Sequence, residues 1–353
     1  MLNIWIPKEL LLPEQRLNPV IIHLSPPETN PELIFWNQLR EQLDKTVRVH
    51  YFHHLEEAGA LIAVPNTLAV YRVAGNLAAV YEFRRKALAA GRTVITSDVG
   101  VELAPLPGEV VFATSTYRSN QANSIATPNW LFDLGSKISP IEKPAVPTVG
   151  FVGDTKYSGR LSNMVGLLPL PNFAISFLGT NATLNRSLPI NARQAIAHVV
   201  RTAAVNSVRQ AQGLNSSLIE RTGGYFNASP EDRQKQREEY LQNLQDNAYH
   251  VCVRGDRNCS YRLYEVMSAG RIPVIIDTNL DLPMLQGMKW EDFSIIIPFS
   301  KIDSVGERIH TFHERLSDEA FEKICNQSQL AFQSLLPHKF VINTLRQKFG
   351  VLM

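Results

Sequence analysis

From Val20 the run VIIHLS is short and β-branched, and it gives way to the turn cluster PPETNP. That is the pattern of a buried strand leaving a sheet. A helix is expected next, with Pro31 in its first turn and Leu33, Trp36, Leu39 and Leu43 recurring along one face. VRVHYF from Val47 reads as a second strand and ALIAVPN, near residues 60–66, as a third. The helical stretch YRVAGNLAAVYEFRRKALAAG then precedes two more strands, TVITSDVG and GEVVFATST. Strands alternating with helices at this spacing predict a parallel sheet with helices on its faces. Residues 137–148, KISPIEKPAVPT, carry three prolines and form the best linker candidate.

Beyond the prolines the alternation restarts. TVGFVGDT reads as a strand entering a glycine-containing loop, and residues 191–212 read as a helix. SPEDRQKQREEYLQNLQ is a helix with Ser229 as N-cap, Pro230 at the first helical position and acidic residues in its first turn. NAYHVCV, a helix from Tyr261 to Ala269 closed by Gly270, the strands IPVIID and FSIIIP, and further helices complete the chain. The expected organisation is two α/β domains, 1–140 and 148–353, with the last helix available to pack back on the first domain.

The length of 353 residues suits two domains at roughly 100–200 residues each. Net charge is +2, and no clustered basic run is present to neutralise phosphates, which argues against a nucleic-acid partner. With 44% hydrophobic and 19% charged residues, disordered, collagen-like and coiled-coil classes are excluded. Pro7, Lys8, Glu9, Pro13 and Glu14 interrupt the opening residues, so no signal peptide is read there. No apolar run reaches the roughly 18 residues needed to span a bilayer, although peripheral attachment stays open. The three cysteines, Cys252, Cys259 and Cys325, have no CxxC spacing, so neither a disulfide framework nor a zinc site is indicated and a reduced cytoplasm is expected.

The densest cluster of unusual residues is HVCVRGDRNCSYRLYEVMSAGRIPVIIDTNLDLP, 250–283. It reads as strand, loop, helix, glycine stop, strand. Its loop carries Arg254, Arg257, Asn258 and Ser260, and it feeds a helix N-terminus at the carboxyl end of a parallel strand, where amides and dipole favour an anion such as a diphosphate. Arg262 and Glu265 share one face of that helix while Leu263, Val266 and Met267 face the core. Glu265 is suited to accept from ribose or sugar hydroxyls, and an exposed Arg262–Glu265 pair is the competing reading. Gly150 and Gly153 resemble part of a dinucleotide fingerprint, but the pattern is incomplete and no acidic ribose ligand follows, so an NAD enzyme is disfavoured. His310 and His313, three apart on a C-terminal helix without carboxylates or thiolates beside them, read as a surface face.

Arg254-Gly255-Asp256, Ser260-Tyr261-Arg262-Leu263-Tyr264-Glu265, Gly270-Arg271-Ile272-Pro273-Val274-Ile275-Ile276, Leu282-Pro283 and Trp290-Glu291-Asp292-Phe293-Ser294 together resemble the exostosin glycosyltransferases. The resemblance runs over roughly residues 148–340. It implies a GT-B architecture: two Rossmann-like domains facing across a cleft, the nucleotide-sugar donor on the second and the acceptor on the first. It further implies transfer with inversion, without a metal or other cofactor, from a donor such as a UDP-sugar to a glycan or other hydroxyl acceptor. The residues carried over to the donor site are Arg254, Ser260, Tyr261, Arg262 and Glu265, with Arg254 as the catalytic residue that, beside Arg262 and the helix amides, meets the charge on the leaving diphosphate. Eukaryotic members carry a membrane anchor that this sequence does not show, which points to a bacterial cytoplasmic enzyme of polysaccharide biosynthesis, working in solution or at the inner face of the membrane.

Inversion requires a general base on the acceptor hydroxyl. Asp98, in ITSDVG, is the first candidate, followed by His23 and more weakly by His53 and His54. Two other classes stay open: a catalytically silent nucleotide-sugar or glycan binder, and a nucleotide-sugar epimerase.

Overall fold

The computed structural model describes residues 2–10, 47–64, 77–98, 106–119, 124–129, 133–156, 177, 180–181, 188–222 and 228–349. The strand expected at 20–25 and the helix expected at 31–44 lie outside them. The chain divides into two units, the first comprising 1–130, 281–284 and 334–353, the second 131–280 and 285–333.

In the first unit, β1 (Leu2–Pro7), β2 (Val47–Phe52), β3 (Leu61–Ala63), β4 (Thr93–Asp98), β5 (Glu109–Ala113) and β6 (Ser124–Ala126) form a sheet in the order β2-β1-β3-β4-β5-β6. Every pairing is parallel. Helix α1 (Leu77–Ala89) joins β3 to β4 and packs Val80 and Ala87 against Ile62 and Val94. Its Arg84 is 1% exposed and meets the equally buried Glu109 at the start of β5, with Nε donating to Oε1 at 2.6 Å and Nη2 to Oε2. Glu109 also accepts from the Leu106 amide at 3.0 Å, so one carboxylate ties helix, strand and the turn before it.

In the second unit, β7 (Thr148–Lys156), α2 (Ile190–Gln210), β8 (Asn215–Thr222), α3 (Pro230–Asp246), β9 (Tyr249–Cys252), α4 (Tyr261–Ser268), β10 (Ile272–Asp277) and β11 (Ile295–Pro298) are followed by α5 (Val305–Glu314) and α6 (Asp318–Ser334). A last helix, α7 (Pro337–Phe349), falls in the residues grouped with the first unit. The second sheet runs β11-β10-β9-β7-β8 and is again parallel throughout. Counted from its own first strand, the second sheet has the order 2-1-3-4-5 of doubly wound, Rossmann-like folds and the first extends it to 2-1-3-4-5-6, which is the α/β class expected from the sequence.

β9 is buried at all four positions and β10 at its first five, because parallel central strands are covered on both faces and need no polar alternation. On one face Val149, Phe151, Val251, Val274 and Ile276 pack with Val200, Ala204 and Val208 of α2. On the other, Gly150 lies under His250 and Asn243 of α3, so closely that a Cβ would sit 2.4 Å from the imidazole. The proline-rich segment is held to this unit: Ser139 N donates to Gln245 Oε1 at 2.8 Å, and Asn215 N donates to the Pro147 carbonyl at 2.9 Å.

The Arg84–Glu109 pair gives a stability prediction. Breaking a buried pair strands the surviving charge, so Glu109→Ala should cost roughly 3–5 kcal/mol in urea unfolding. The double change Arg84→Met with Glu109→Met should cost less than either single change. A double variant as unstable as the sum of the singles would refute the coupling.

Candidate active site

The second sheet grows outward in both directions from β7, to β8 on one side and to β9 on the other. Connections leaving the carboxyl ends of β7 and β9 therefore diverge, and the crevice between them is where ligands bind in such sheets. Gly153 and Asp154 stand at the end of β7. The loop from Val253 to Ser260 follows β9 and leads into α4.

Arg254 opens that loop but is only 3% exposed. Its guanidinium turns back on its own loop, Nε donating to the Gly255 carbonyl and Nη2 to the Asp256 carbonyl, each at 3.2 Å. Gly255 N donates to Cys259 O at 2.9 Å, and Cys259 N to Arg257 O at 2.8 Å. Asn258 is fully buried and trades bonds with Thr278 beyond β10, accepting from its hydroxyl at 2.5 Å and donating to its carbonyl at 3.3 Å. The loop is wound tight before any ligand arrives.

Ser260 is the N-cap of α4 in extended conformation, with no side-chain cap bond, and Tyr261 is 44% exposed. The first-turn amides of α4 have no intrahelical acceptors. Arg262 lies over the Phe151 ring at 5.2 Å and the Tyr240 ring at 5.7 Å. No hydrogen bond or ion pair holds it among the described residues, and its Nε is buried without a partner. Gly153 leaves it room: a Cβ there would come within 3.3 Å of Nη2. Glu265 is 9% exposed and pairs with Arg237 of α3 at 3.2 Å, not with Arg262, so the exposed i,i+3 pair is replaced by a bridge between two helices. The Tyr240 phenol beside them is held well above its ordinary pKa by burial, reinforced by the Glu265 charge.

Two residues of α2 that sequence reasoning passed over also reach this edge. Arg201 Nε donates to the Arg254 carbonyl at 3.2 Å and Nη1 to the Asp154 carbonyl at 3.0 Å, joining the ends of β7 and β9. Burial, and then the charge of Arg262, lower its pKa to about 10. His198 places Nδ1 3.1 Å from the same Asp154 carbonyl, and burial and the Arg201 charge lower its pKa. The available signal was a basic pair three apart within an otherwise apolar helix stretch, AIAHVVRTAAV.

Asp98 is the last residue of β4, in register with Ala113 at the carboxyl edge of the first sheet. His53 and His54 are exposed just beyond β2, and His23 lies outside the described residues. His313 corrects an expectation: it is fully buried, with Nε2 2.8 Å from the Pro144 carbonyl and Nδ1 3.0 Å from the Tyr249 hydroxyl, so it anchors the proline segment and is no surface residue. Gly150 and Gly153 serve close packing against His250 and Arg262. A cavity of about 700 Å³ lies instead at the amino end of β10, lined by Arg271, Lys143 and the carboxylates Glu142, Asp318, Glu319 and Glu322. Its acidic rim does not suit an anion.

Among the described residues, no three His, Cys, Asp or Glu side chains gather as a metal site, and no helix is long and apolar enough to cross a membrane. A doubly wound unit with surplus arginine charge at its switch point is a nucleotide-fold domain suited to an anionic ligand. Residues 145–312 match the model of the Exostosin GT47 domain, the family that the motif run resembles. Over 81 residues the chain is 30% identical to human Exostosin-2, covering 23% of this chain and 11% of that protein. Among solved structures, TarM of S. aureus is similar at 10% identity and a TM-score of 0.37 over 74% of this chain and 51% of that one. A glycosyltransferase from Rickettsia africae is similar at 9% identity and a TM-score of 0.37, over 93% and 84%.

His250 supplies a pH test of the packing beneath the site. Burial first, then the Arg271 charge, lower its pKa to about 3. The folded state therefore keeps the ring neutral where the unfolded chain, near 6.5, takes up a proton. Its contribution to stability is complete above pH 6.5 and falls, by up to tenfold in the folding constant per unit, between pH 6.5 and 3. Urea unfolding of His250→Gln at pH 7.5 and 5.0 should show a pH dependence weaker than the wild type's by an order of magnitude or more. Equal pH dependence in both would rule the explanation out.

Proposed function

We propose that the protein transfers a sugar from a nucleotide diphosphate donor, a UDP-sugar in the first instance, to a hydroxyl of a glycan or similar acceptor. The observation that carries this reading is Arg262: an arginine without a hydrogen bond among the described residues, set against Phe151 and Tyr240 at the switch point of the unit that matches the Exostosin GT47 model. A guanidinium held by ring faces keeps its N–H donors free for phosphate oxygens. Ser260, Tyr261 and the first amides of α4 stand next to it, and Arg254 acts by setting the loop that presents them.

In the proposed reaction the acceptor oxygen forms a bond to the anomeric carbon as the bond from that carbon to the diphosphate oxygen breaks, with inversion. The acceptor proton passes to a base on the first unit, for which Asp98 is the candidate. Charge building on the leaving diphosphate is met by Arg262 and the α4 amides, so the step needs no divalent ion. The first unit would hold the acceptor and the second the donor, in a cytoplasmic enzyme that works in solution or at a membrane surface.

Nucleotide release from a panel of UDP- and GDP-sugars tests this in buffer containing EDTA. Arg262→Met keeps the aliphatic contact with both rings and should lower turnover by about 10²–10³. Unchanged turnover in a folded variant would remove Arg262 from the mechanism. Donor binding without release would support a silent binder, and interconversion of nucleotide sugars without acceptor would support an epimerase.

A further inference from the structure

Three arginines converge at the carboxyl edge of the second sheet, and they spend their donors differently. Arg254 is folded into its own loop. Among the described residues Arg262 meets ring faces and no hydrogen-bond acceptor. Arg201 lies between these cases: Nε and Nη1 are used on the carbonyls of Arg254 and Asp154, and Nη2 makes no hydrogen bond among the described residues. Nη2 points past Gly255, where an added Cβ would lie 3.7 Å from it. The Arg262 charge acts against that of Arg201 more strongly than any other neighbouring charge, while Asp154 and Asp256 act in its favour.

Two like charges kept together at the edge of a sheet cost stability unless something of opposite charge shares the space. We propose that Arg201 is a donor-binding residue, its Nη2 forming with Arg262 a two-guanidinium clamp on the diphosphate of the nucleotide sugar. The inference rests on the reading of a nucleotide diphosphate at this switch point and adds a residue outside the recognised motif run. Geometry gives Arg201 two jobs at once. It bonds both strand ends that border the crevice, so the position of its free donor is fixed by the same strands that shape the site. The clamp is therefore built with the sheet and needs no closing movement.

Three probes separate the roles by titration calorimetry: UDP, uridine and inorganic pyrophosphate. In Arg201→Gln, affinity for UDP and pyrophosphate should fall about 10–100-fold, the loss of one charged hydrogen-bonded contact, while affinity for uridine stays within about twofold. Arg201→Lys keeps a charge but not the fork, and should fall between wild type and Arg201→Gln for UDP with uridine again unchanged. If Arg201 only holds the strands, thermal stability falls while the ratio of UDP to uridine affinity stays constant, and the proposal is overturned. Should Arg201→Gln fail to fold, the same ratio in Arg201→Lys decides. Wild-type protein that binds pyrophosphate through Arg201 but neither UDP nor uridine would retain the clamp and reject the nucleotide donor. Wild-type protein that binds none of the three would overturn both.

Discussion

In the second unit Arg271, Arg201 and Arg254 bond backbone carbonyls, and the elements around them depend on those bonds. Arg271 is the plainest case: fully buried at the amino end of β10, it donates to the carbonyls of Leu244, Ala269, Ser139 and Gln245 at 2.8–3.1 Å. Its own carbonyl accepts from Ser328 of α6 at 2.8 Å. One residue, through its side chain and its carbonyl, so joins the end of α3, the end of α4, the proline segment and the last long helix of the unit. Burial of a charge is tolerable only when its donors are met, and four carbonyls from three elements meet them only if all those elements are in place. The guanidinium acts as a checkpoint on assembly, and its pKa, lowered to about 10 chiefly by burial, leaves it charged at neutral pH.

The same device recurs at the opposite edge with a different result. Arg201 bonds the carbonyls at the ends of β7 and β9, and Arg254 bonds those of its own loop. Because these carbonyls carry no net charge, the bonds to them position the guanidinium groups without cancelling their charge. Glu265, the carboxylate on α4 nearest in sequence, is committed to Arg237 on the neighbouring helix. Structural demands thus leave the switch point cationic, whereas the cavity at the amino end is ringed by acids. Polarity of charge along the strands, more than cavity size, distinguishes the edge fit for a diphosphate.

Much of this was legible in the sequence where burial and period coincide. β9, β10 and the strand at 93–98 declare themselves as runs made mostly of apolar or β-branched residues, and α3 does so by Ser229, whose side chain accepts from the Asp232 amide at 3.1 Å. β8, NSSLIERT, was not legible. It is an edge strand with most of its positions exposed or half-exposed, so neither an apolar run nor a clean alternation survives, and β-propensity alone is weak. β6, three residues long, gives no period at all. At the site, residue types were readable but their partners were not. Glu265 could have met Arg262 on its own helix, yet packing of α3 against α4 supplied Arg237. His313 looked like surface by spacing because its acceptor, the Pro144 carbonyl, is 169 residues away.

Arg201 marks where reading by motif gives out. A motif collects residues adjacent in sequence, here the loop and helix after β9, whereas a switch point is by construction the meeting of two strands distant in sequence. Whatever spans it must come from an element that crosses both ends. α2 is such an element, because it packs beneath β7 and β9 through Val200 and Ala204, which places the intervening Arg201 at the strand ends. The apolar neighbours that made Arg201 look like an ordinary interruption of a core helix are thus what position it. An arginine embedded among buried alanines and valines on the helix after the first strand of a doubly wound unit is therefore a useful sequence signal for the far side of an anion site.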